Sequence, residues 1–328
     1  MSKNWNTEIE KELKKFVLKY DNWSEIAEEI NTKFSQNLSV AAVKSYAYRR
    51  AISLPKKEKI LKSRSDMVDE EYEVFSKDSV PIFRIKTKDE WIPIWLLGDM
   101  HIGSEGFDED SFFLDLKWAL KNNCYLIGVG DWLETAIPSH MPKTVFGQKL
   151  SPENQKEYAI NTMLPFKGKT VTIVDGNHEK RISDATSFKP LKDVAVELKS
   201  YHMAKGGVVC VDINGIQYNI LVKHGSSFAK NNLELKQWGE IFKNIDVVVS
   251  GHTHTCEAFN MNEGFEIING KKVDTKQVGI RCGHYLSYSG YVEEKPLKPL
   301  ASESMVLWLN AKTKEIMASK IRSKYNLV

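Results

Sequence analysis

Apolar residues recur at helical spacing through the first fifty positions. Leu13, Phe16, Val17 and Tyr20 mark one helix, and Trp23, Ile26, Ala27 and Ile30 mark a second, which Asp21 or Asn22 can cap. Ser39 opens a third apolar-periodic stretch, SVAAVKSYAYRR. Three short helices over Trp5 to Ile52, with aromatic anchors, predict a small bundle. Leu54-Pro55 then leads into KKEKILKSRSDMVDEEYEVFSKDS, which carries both signs of charge on few apolar anchors and reads as a linker.

After the linker the pattern changes to short apolar runs alternating with helical stretches. PIFRIKT and WIPIWLLGD read as strands, expected to form a hairpin through Lys88-Asp89. A helix is expected over Asp110 to Lys121, then the buried strand CYLIGVGD, a helix over 151–165 and the strand KTVTIVDGN. Leu191 to Met203 is predicted helical. VVCVDING and IQYNILVKHG should form a hairpin through Asn214-Gly215. The helix LELKQWGEIFKN precedes the strand IDVVVSGH, and the remainder, including MVLWLNAKTKEIMASKI, reads as strands and turns. Strands alternating with helices imply α/β layers. The expected domains are a helical one at 1–54, a linker at 55–80 and an α/β domain at 81–328.

Composition narrows the class without naming a chemistry. The chain has 328 residues, 42% hydrophobic and 27% charged, which suits a globular protein of one large and one small domain. No run approaches the roughly 18 apolar residues of a membrane helix. The first thirty residues lack an apolar core, so no secretory signal is expected and the cytoplasm is the expected location. Cys124, Cys210, Cys256 and Cys282 stand singly and read as buried apolar residues in a reducing compartment, with neither disulfide nor zinc-site spacing. A net charge of +3 decides nothing about a polyanionic partner.

The chemistry is carried at the ends of the apolar runs. In order they finish in Gly98-Asp99-Met100-His101, Gly130-Asp131, Gly176-Asn177-His178-Glu179, Lys223-His224-Gly225 and Gly251-His252-Thr253-His254. Ligand residues collect at the carboxyl ends of strands in open α/β sheets. Carboxylate, amide oxygen and imidazole without thiolate suit Mn, Fe, Zn or Ni. On extended chain, residues i and i+2 share a side, so Asp99 with His101, and His252 with His254, are expected to face one site together.

This ordered set, DxH, GDxx, GNHE, H and GHxH over residues 92–256, resembles the calcineurin-like metallophosphoesterase superfamily. The resemblance implies a four-layer α/β/β/α sandwich and two divalent metal ions, with Mn²⁺ the expected pair and Fe, Zn or Ni also suitable. It implies that Asp99, His101 and His254 hold the first metal, that Asp131 bridges both, and that Asn177, His224 and His252 hold the second. His178 would be the general acid on the leaving oxygen, and Glu134, three residues after the bridging aspartate, would orient it. Thr135 stands where Ser/Thr phosphatases carry an arginine, which argues against a protein phosphatase. Arg181 is a possible phosphate contact in its place. His140 lies in a loop that can overhang the site as a substrate contact. His202 reads as structural or exposed on its predicted helix, Trp132 as a packing residue, and His284 as lying outside the motifs, on a stretch that lines the site in relatives. The run Lys295 to Lys298 reads as a solvated loop.

The first helices resemble a Myb/SANT-like or helix-turn-helix module. Trp5 and Trp23 are spaced like its core tryptophans, and Lys44, Tyr48, Arg49 and Arg50 on the third helix would meet phosphates and base edges. With the DxHIG start and a short insert between GNHE and the KHG strand, this leads to an expected phosphodiesterase or nuclease acting on DNA, with no membrane partner and self-association possible. Two other readings stay open. One is a phosphoesterase of small nucleotides whose helices serve assembly, and the other a noncatalytic DNA-associated protein with a structural metal site.

Overall fold

The computed structural model describes residues 7–19, 22–49, 80–138, 145–226, 232–242, 244–268, 270–287 and 301–322. The chain divides into two compact units, Met1–Val74 and Phe75–Val328.

In the first unit, α1 (Thr7–Lys19), α2 (Trp23–Phe34) and α3 (Val40–Arg49) close on Ile9, Leu13, Phe16, Ile26, Ala27, Ile30, Val43, Tyr46 and Ala47. Asn22 is the cap of α2, its side chain accepting from the Glu25 N–H at 2.9 Å. Ser39 Oγ accepts from Ala42 N at 3.2 Å at the start of α3. Glu12 on α1 pairs with Lys15 at 2.6 Å and with Lys33 of α2 at 2.5 Å, and both ammonium groups hold its carboxyl down to about 2. Trp23 packs against this core, whereas Trp5, Asp21, Arg50 and the linker up to residue 79 lie outside the described residues.

Among the described residues the second unit holds twelve strands: β1 (Ile82–Ile85), β2 (Trp91–Leu97), β3 (Tyr125–Gly128), β4 (Thr170–Val174), β5 (Tyr201–Met203), β6 (Gly207–Ile213), β7 (Ile216–Val222), β8 (Val247–Ser250), β9 (Cys256–Ile268), β10 (Lys271–His284), β11 (Glu303–Asn310) and β12 (Ile316–Lys320). Their order is β1-β6-β7-β8-β10-β11-β2-β3-β4-β5, with β9 added to β10 and β12 to β11. Among the described residues, the strands of the two halves pair through Gly283↔Ser304 and His284↔Glu303. They curl over one another around a shared core in which Ile94, Leu96, Ile127 and Val129 of one half meet Val209, Val211, Val247, Val249 and Ile280 of the other.

Alternation explains why most strands are apolar on both sides. Ile94 and Leu96 face the inter-sheet core, while Trp95 and Leu97 face an outer core with α4 (Glu109–Lys121), α5 (Pro152–Met163) and α7 (Pro190–Glu197). On the opposite outer face α8 (Leu233–Ile241) buries Leu235 against Leu221 and Val248. The order of layers is therefore α/β/β/α, as expected. β2 to β5 run parallel, and so do β7, β8 and β10, so two sets of carboxyl ends are gathered at one place.

The turn at Asn214-Gly215 forms as predicted, with φ of 53° and 93° and Ile213 opposite Ile216. Two expectations are corrected. β1 and β2 are not a hairpin: β1 pairs parallel with β6, and β2 lies between β11 and β3. The segment after β1 is tied to the β6–β7 turn, where the Asn214 amide accepts from Thr87 N at 3.2 Å and donates to Thr87 O at 2.9 Å. The helix predicted over Leu191 to Met203 stops at Glu197, and Tyr201–Met203 joins β4 as a parallel edge strand. Sheet pairing there overrides a run whose composition suits a helix.

Candidate metal centre

Each ligand cluster follows a strand directly: Asp99 and His101 after β2, Asp131 after β3, Asn177 and His178 after β4, His224 after β7, and His252 and His254 after β8. Asn177 and His178 open α6 (Asn177–Thr186). The chain is not extended at these points. Asp99 (φ 48°), His101 (53°), Asp131 (50°), His252 (67°) and His254 (55°) all take left-handed backbone. The expectation that i and i+2 share a side of an extended chain is thus replaced by tight turns at both ligands of each pair. Such conformations cost about 1–3 kcal/mol each and persist only where the surroundings impose them.

The surroundings do so through a lacework of main-chain bonds. Asp99 N donates to Gly130 O at 3.0 Å, His101 N to Asp131 O at 3.1 Å and Tyr285 N to Asp99 O at 3.0 Å. The buried Glu179 carboxylate accepts from Asp131 N, Leu133 N and Gly176 N, each at 2.9 Å, and so joins the GDW and GNHE turns. Its carboxyl is pushed up to about 8 by burial and then by the charges of Asp131 and Asp175. Gly176 sits so close that a Cβ there would lie 2.0 Å from Asp131 Oδ1.

The side chains converge into three groups, each with its ligand atoms within 4.8 Å of one another: Asp99, His101 and His254; Asp131, His224 and His252; and His101, Glu134 and His178. Asp99 Oδ1 is 3.3 Å from His254 Nε2, and Asp131 Oδ2 is 3.1 Å from His224 Nε2. Asn177 Oδ1 also lies 3.1 Å from His224 Nε2, which places it with the second group. His224 is oriented by its Nδ1 on Val129 O at 2.8 Å. His101 is oriented by its Nδ1 on Glu134 Oε2 at 3.1 Å, and its Nε2 is buried without a hydrogen-bond partner among the described residues.

The electrostatics match a cation site. Burial alone would lower the histidines. The hydrogen bond and charge of Glu134 instead raise His101 to about 9, and the charge and hydrogen bond of Asp131 raise His224 to about 10. Asp131 is held well below the usual carboxylate range against its burial, chiefly by the charges of His224 and His178. Carboxylates crowded this closely demand positive charge, which protons on the imidazoles or divalent ions can supply. The oriented rings, the open Nε2 of His101 and the oxygen and nitrogen donors fit a pair of divalent ions.

His178 lies between the groups, its Nε2 at 3.9 Å from Asp131 Oδ2 and its ring centroid at 4.5 Å from that of His101. Its Nδ1 donates to the main-chain carbonyl of Glu134 at 2.8 Å, whereas the Glu134 carboxylate stands 3.7 Å away. Glu134 therefore orients His178 with its backbone, and its side chain serves His101. Glu134→Gln is expected to weaken Mn²⁺ binding about 10–100-fold, as loss of a partner behind a ligand does, while leaving the fold intact. Calorimetric titration of the metal checks this; unchanged Mn²⁺ affinity would remove that role from the carboxylate.

Arg181 on α6 acts electrostatically on Glu134 and His178, and its Nη1 is buried with no hydrogen-bond partner among the described residues. Thr135 donates through Oγ1 to His178 O at 2.8 Å. Trp132 is buried and donates to Leu97 O at 2.9 Å, a packing role as expected. His202 stands on β5 and not on a helix, its Nε2 2.7 Å from Asp175 Oδ1. His140 and the run 295–298 lie outside the described residues. Lys44 is exposed on α3, and Tyr48 and Arg49 occupy the end of that helix.

Glu179 and Arg281 received no site role from the sequence, and His284 only a place on a stretch that lines the site in relatives. Glu179 was visible as the last letter of GNHE. Arg281 is buried in β10 and donates to Thr253 Oγ1 at 2.7 Å and to Asn232 Oδ1 at 3.1 Å, anchoring the GHTH turn. His284 is 4% exposed and stacks on His254 with centroids 5.1 Å apart at 23°. Neither carries a motif signal: Arg281 is brought in by the pairing of β10 with β8, opposite Ser250, and His284 lies at the end of the same strand.

Comparison with known proteins agrees with this geometry. Residues 92–256 match the sequence profile of the calcineurin-like phosphoesterase family. No curated protein sequence matches the chain significantly. Among solved structures, calcineurin-like phosphoesterase YfkN from Bacillus subtilis is 12% identical with a TM-score of 0.37, over 70% of this chain and 90% of that one. A metallophosphoesterase from Sphaerobacter thermophilus is 11% identical with a TM-score of 0.36, over 71% and 90%. These likenesses are low. The family match covers half of the chain and spans the ligand turns from Asp99 to His254, and on that ground the chain belongs to the calcineurin-like phosphoesterase family.

Proposed function

We propose that the protein hydrolyses phosphate esters at a pair of divalent ions, with DNA phosphodiesters as the substrate class. The observation that supports the reaction is the meeting of Asp99, His101 and His254 with Asp131, His224 and His252 around His178. Two divalent ions, Mn²⁺ in the first instance, would neutralise the nonbridging oxygens and bring the pKa of a bound water towards neutrality. Asp131 would lie between them. Asn177, His224 and His252 would hold one ion, and Asp99, His101 and His254 the other. His178, whose Nδ1–H is held by Glu134 O, can in its doubly protonated form give the Nε2 proton to a departing alkoxide. Arg181, with a buried guanidinium nitrogen still open, can bind a phosphate oxygen.

The DNA reading rests on the first unit. The sequence of this unit resembles a Myb/SANT-like or helix-turn-helix module, and Lys44 is exposed on its third helix. Lys44, Tyr48, Arg49 and Arg50 are the proposed contacts.

The experiment is a panel on the full chain with Mn²⁺, using an aryl phosphodiester, an aryl monoester, cyclic nucleotides, and single- and double-stranded DNA. Diester and DNA cleavage are expected, with DNA affinity falling steeply as salt rises. Preference for the monoester would overturn the diester reading. A Lys44→Glu, Arg49→Glu variant that keeps the wild-type salt slope would overturn the assigned contacts.

A further inference from the structure

His284 ends β10, three residues past Arg281 and directly after Gly283, whose φ of 90° turns the chain there. The ring is 4% exposed. Its Nδ1 accepts the main-chain N–H of Leu286 at 3.1 Å. An acceptor nitrogen carries no proton, so the neutral ring has its proton on Nε2. That Nε2 is buried and makes no hydrogen bond to any described residue. A buried donor with no acceptor is unfavourable, and in native proteins it calls for an explanation, of which a bound group or an ordered water is one.

The position of the ring says what that group is. His284 stacks on His254, whose Nε2 is 3.3 Å from Asp99 Oδ1, and Asp99, His101 and His254 all act on it electrostatically. It is absent from the groups whose ligand atoms lie within 4.8 Å of one another, and a protonated Nε2 is no metal ligand. The missing partner must accept a hydrogen bond and lie beside the Asp99–His101–His254 group. A phosphoryl oxygen meets both conditions.

We propose that His284 is a substrate-contact residue whose Nε2–H donates a hydrogen bond to a nonbridging oxygen of the phosphoryl group, on the side of the first metal position. The assignment rests on the phosphoesterase reading and adds a donor to it. Stacking on His254 fixes the ring plane, and the Leu286 N–H fixes the tautomer, so the donor is oriented before substrate arrives.

The test uses inorganic phosphate as probe on the full chain loaded with Mn²⁺. Phosphate binding is followed by calorimetry and free Mn²⁺ by electron paramagnetic resonance. In His284→Phe, which keeps a stacking ring without the donor, the phosphate dissociation constant is expected to rise about tenfold with Mn²⁺ affinity unchanged. His284→Gln, whose amide N–H can reach the same place, should recover part of the loss. Equal phosphate affinity in wild type and His284→Phe would overturn the proposal, since the N–H would then be satisfied by water. Loss of Mn²⁺ in step with phosphate would also overturn it, because His284 would then act only by holding His254. If wild type binds Mn²⁺ but no phosphate, or no Mn²⁺ at all, the phosphoesterase reading fails first and is seen to fail separately.

Discussion

Asp131→Asn is expected to yield a folded protein that has lost most of its bound metal and about 10³-fold of its turnover. The fold should survive because the amide preserves what Asp131 does for the backbone. Its Oδ1 can still accept from His178 N, at 2.9 Å in the present structure. The main-chain bond from Asp131 N to Glu179 at 2.9 Å is untouched. What the substitution removes is the negative charge between the two ligand groups, with an amide NH₂ set toward His224 in its place. An amide cannot bridge two cations as a carboxylate does. Metal analysis of the purified variant, circular dichroism and turnover of an aryl phosphodiester measure the three parts. Two metals per chain with undiminished turnover would mean that the centre is not organised on Asp131.

The carbonyl that holds His178 illustrates what a sequence conceals. The spacing GDWLE points to Glu134 as the partner of His178, and the structure places its main-chain carbonyl, not its carboxylate, at hydrogen-bond distance. The turn after Asp131 carries Glu134 so that its carbonyl meets Nδ1 of His178 at 2.8 Å while its carboxylate meets Nδ1 of His101 at 3.1 Å. Spacing along a chain names residues, but left-handed turns at Asp99, His101 and Asp131 decide which atom arrives. The same limit explains β1 and β2. Their apolar periods identify two strands, yet only the bonds from Asn214 to Thr87 and the pairing of β2 with β11 place them in different halves of the sheet. β5 fails for the converse reason. Its three residues gain from an open edge on β4, a term with no local signature.

What was legible follows from the same physics. Ligands at the carboxyl ends of parallel strands are repeated locally, as an apolar run, a glycine and a polar pair, so each cluster is visible without the others. Their convergence needs only that β2, β3 and β4 run parallel beside one another and that β7 and β8 do so on the facing half. Arg281 and His284 are delivered by a long strand with no such punctuation. Arg281 is set beside the GHTH turn by the pairing of β10 with β8, and His284 by the join between β10 and β11.

His178→Ala separates proton delivery from metal binding, and its effect should depend on the leaving group. His178 is not among the seven residues assigned to the ions, and its Nδ1 is occupied by Glu134 O. Metal content should therefore stay at the wild-type level. With a nucleoside or alkyl ester the departing oxygen is strongly basic, and loss of the proton donor should cost about 10²–10⁴-fold in turnover. With a nitrophenyl ester the departing oxygen is a stable anion that needs no proton, so the loss should shrink towards wild type. An imidazole that merely steadied Asp131, whose Oδ2 lies 3.9 Å from its Nε2, would give equal losses on both esters and a fall in metal content. Measuring both substrates on the same metal-loaded preparation distinguishes the two. Equal turnover in wild type and His178→Ala on the alkyl ester would take the general acid out of the mechanism altogether, leaving the leaving oxygen to be stabilised by the ions and by Arg181 alone.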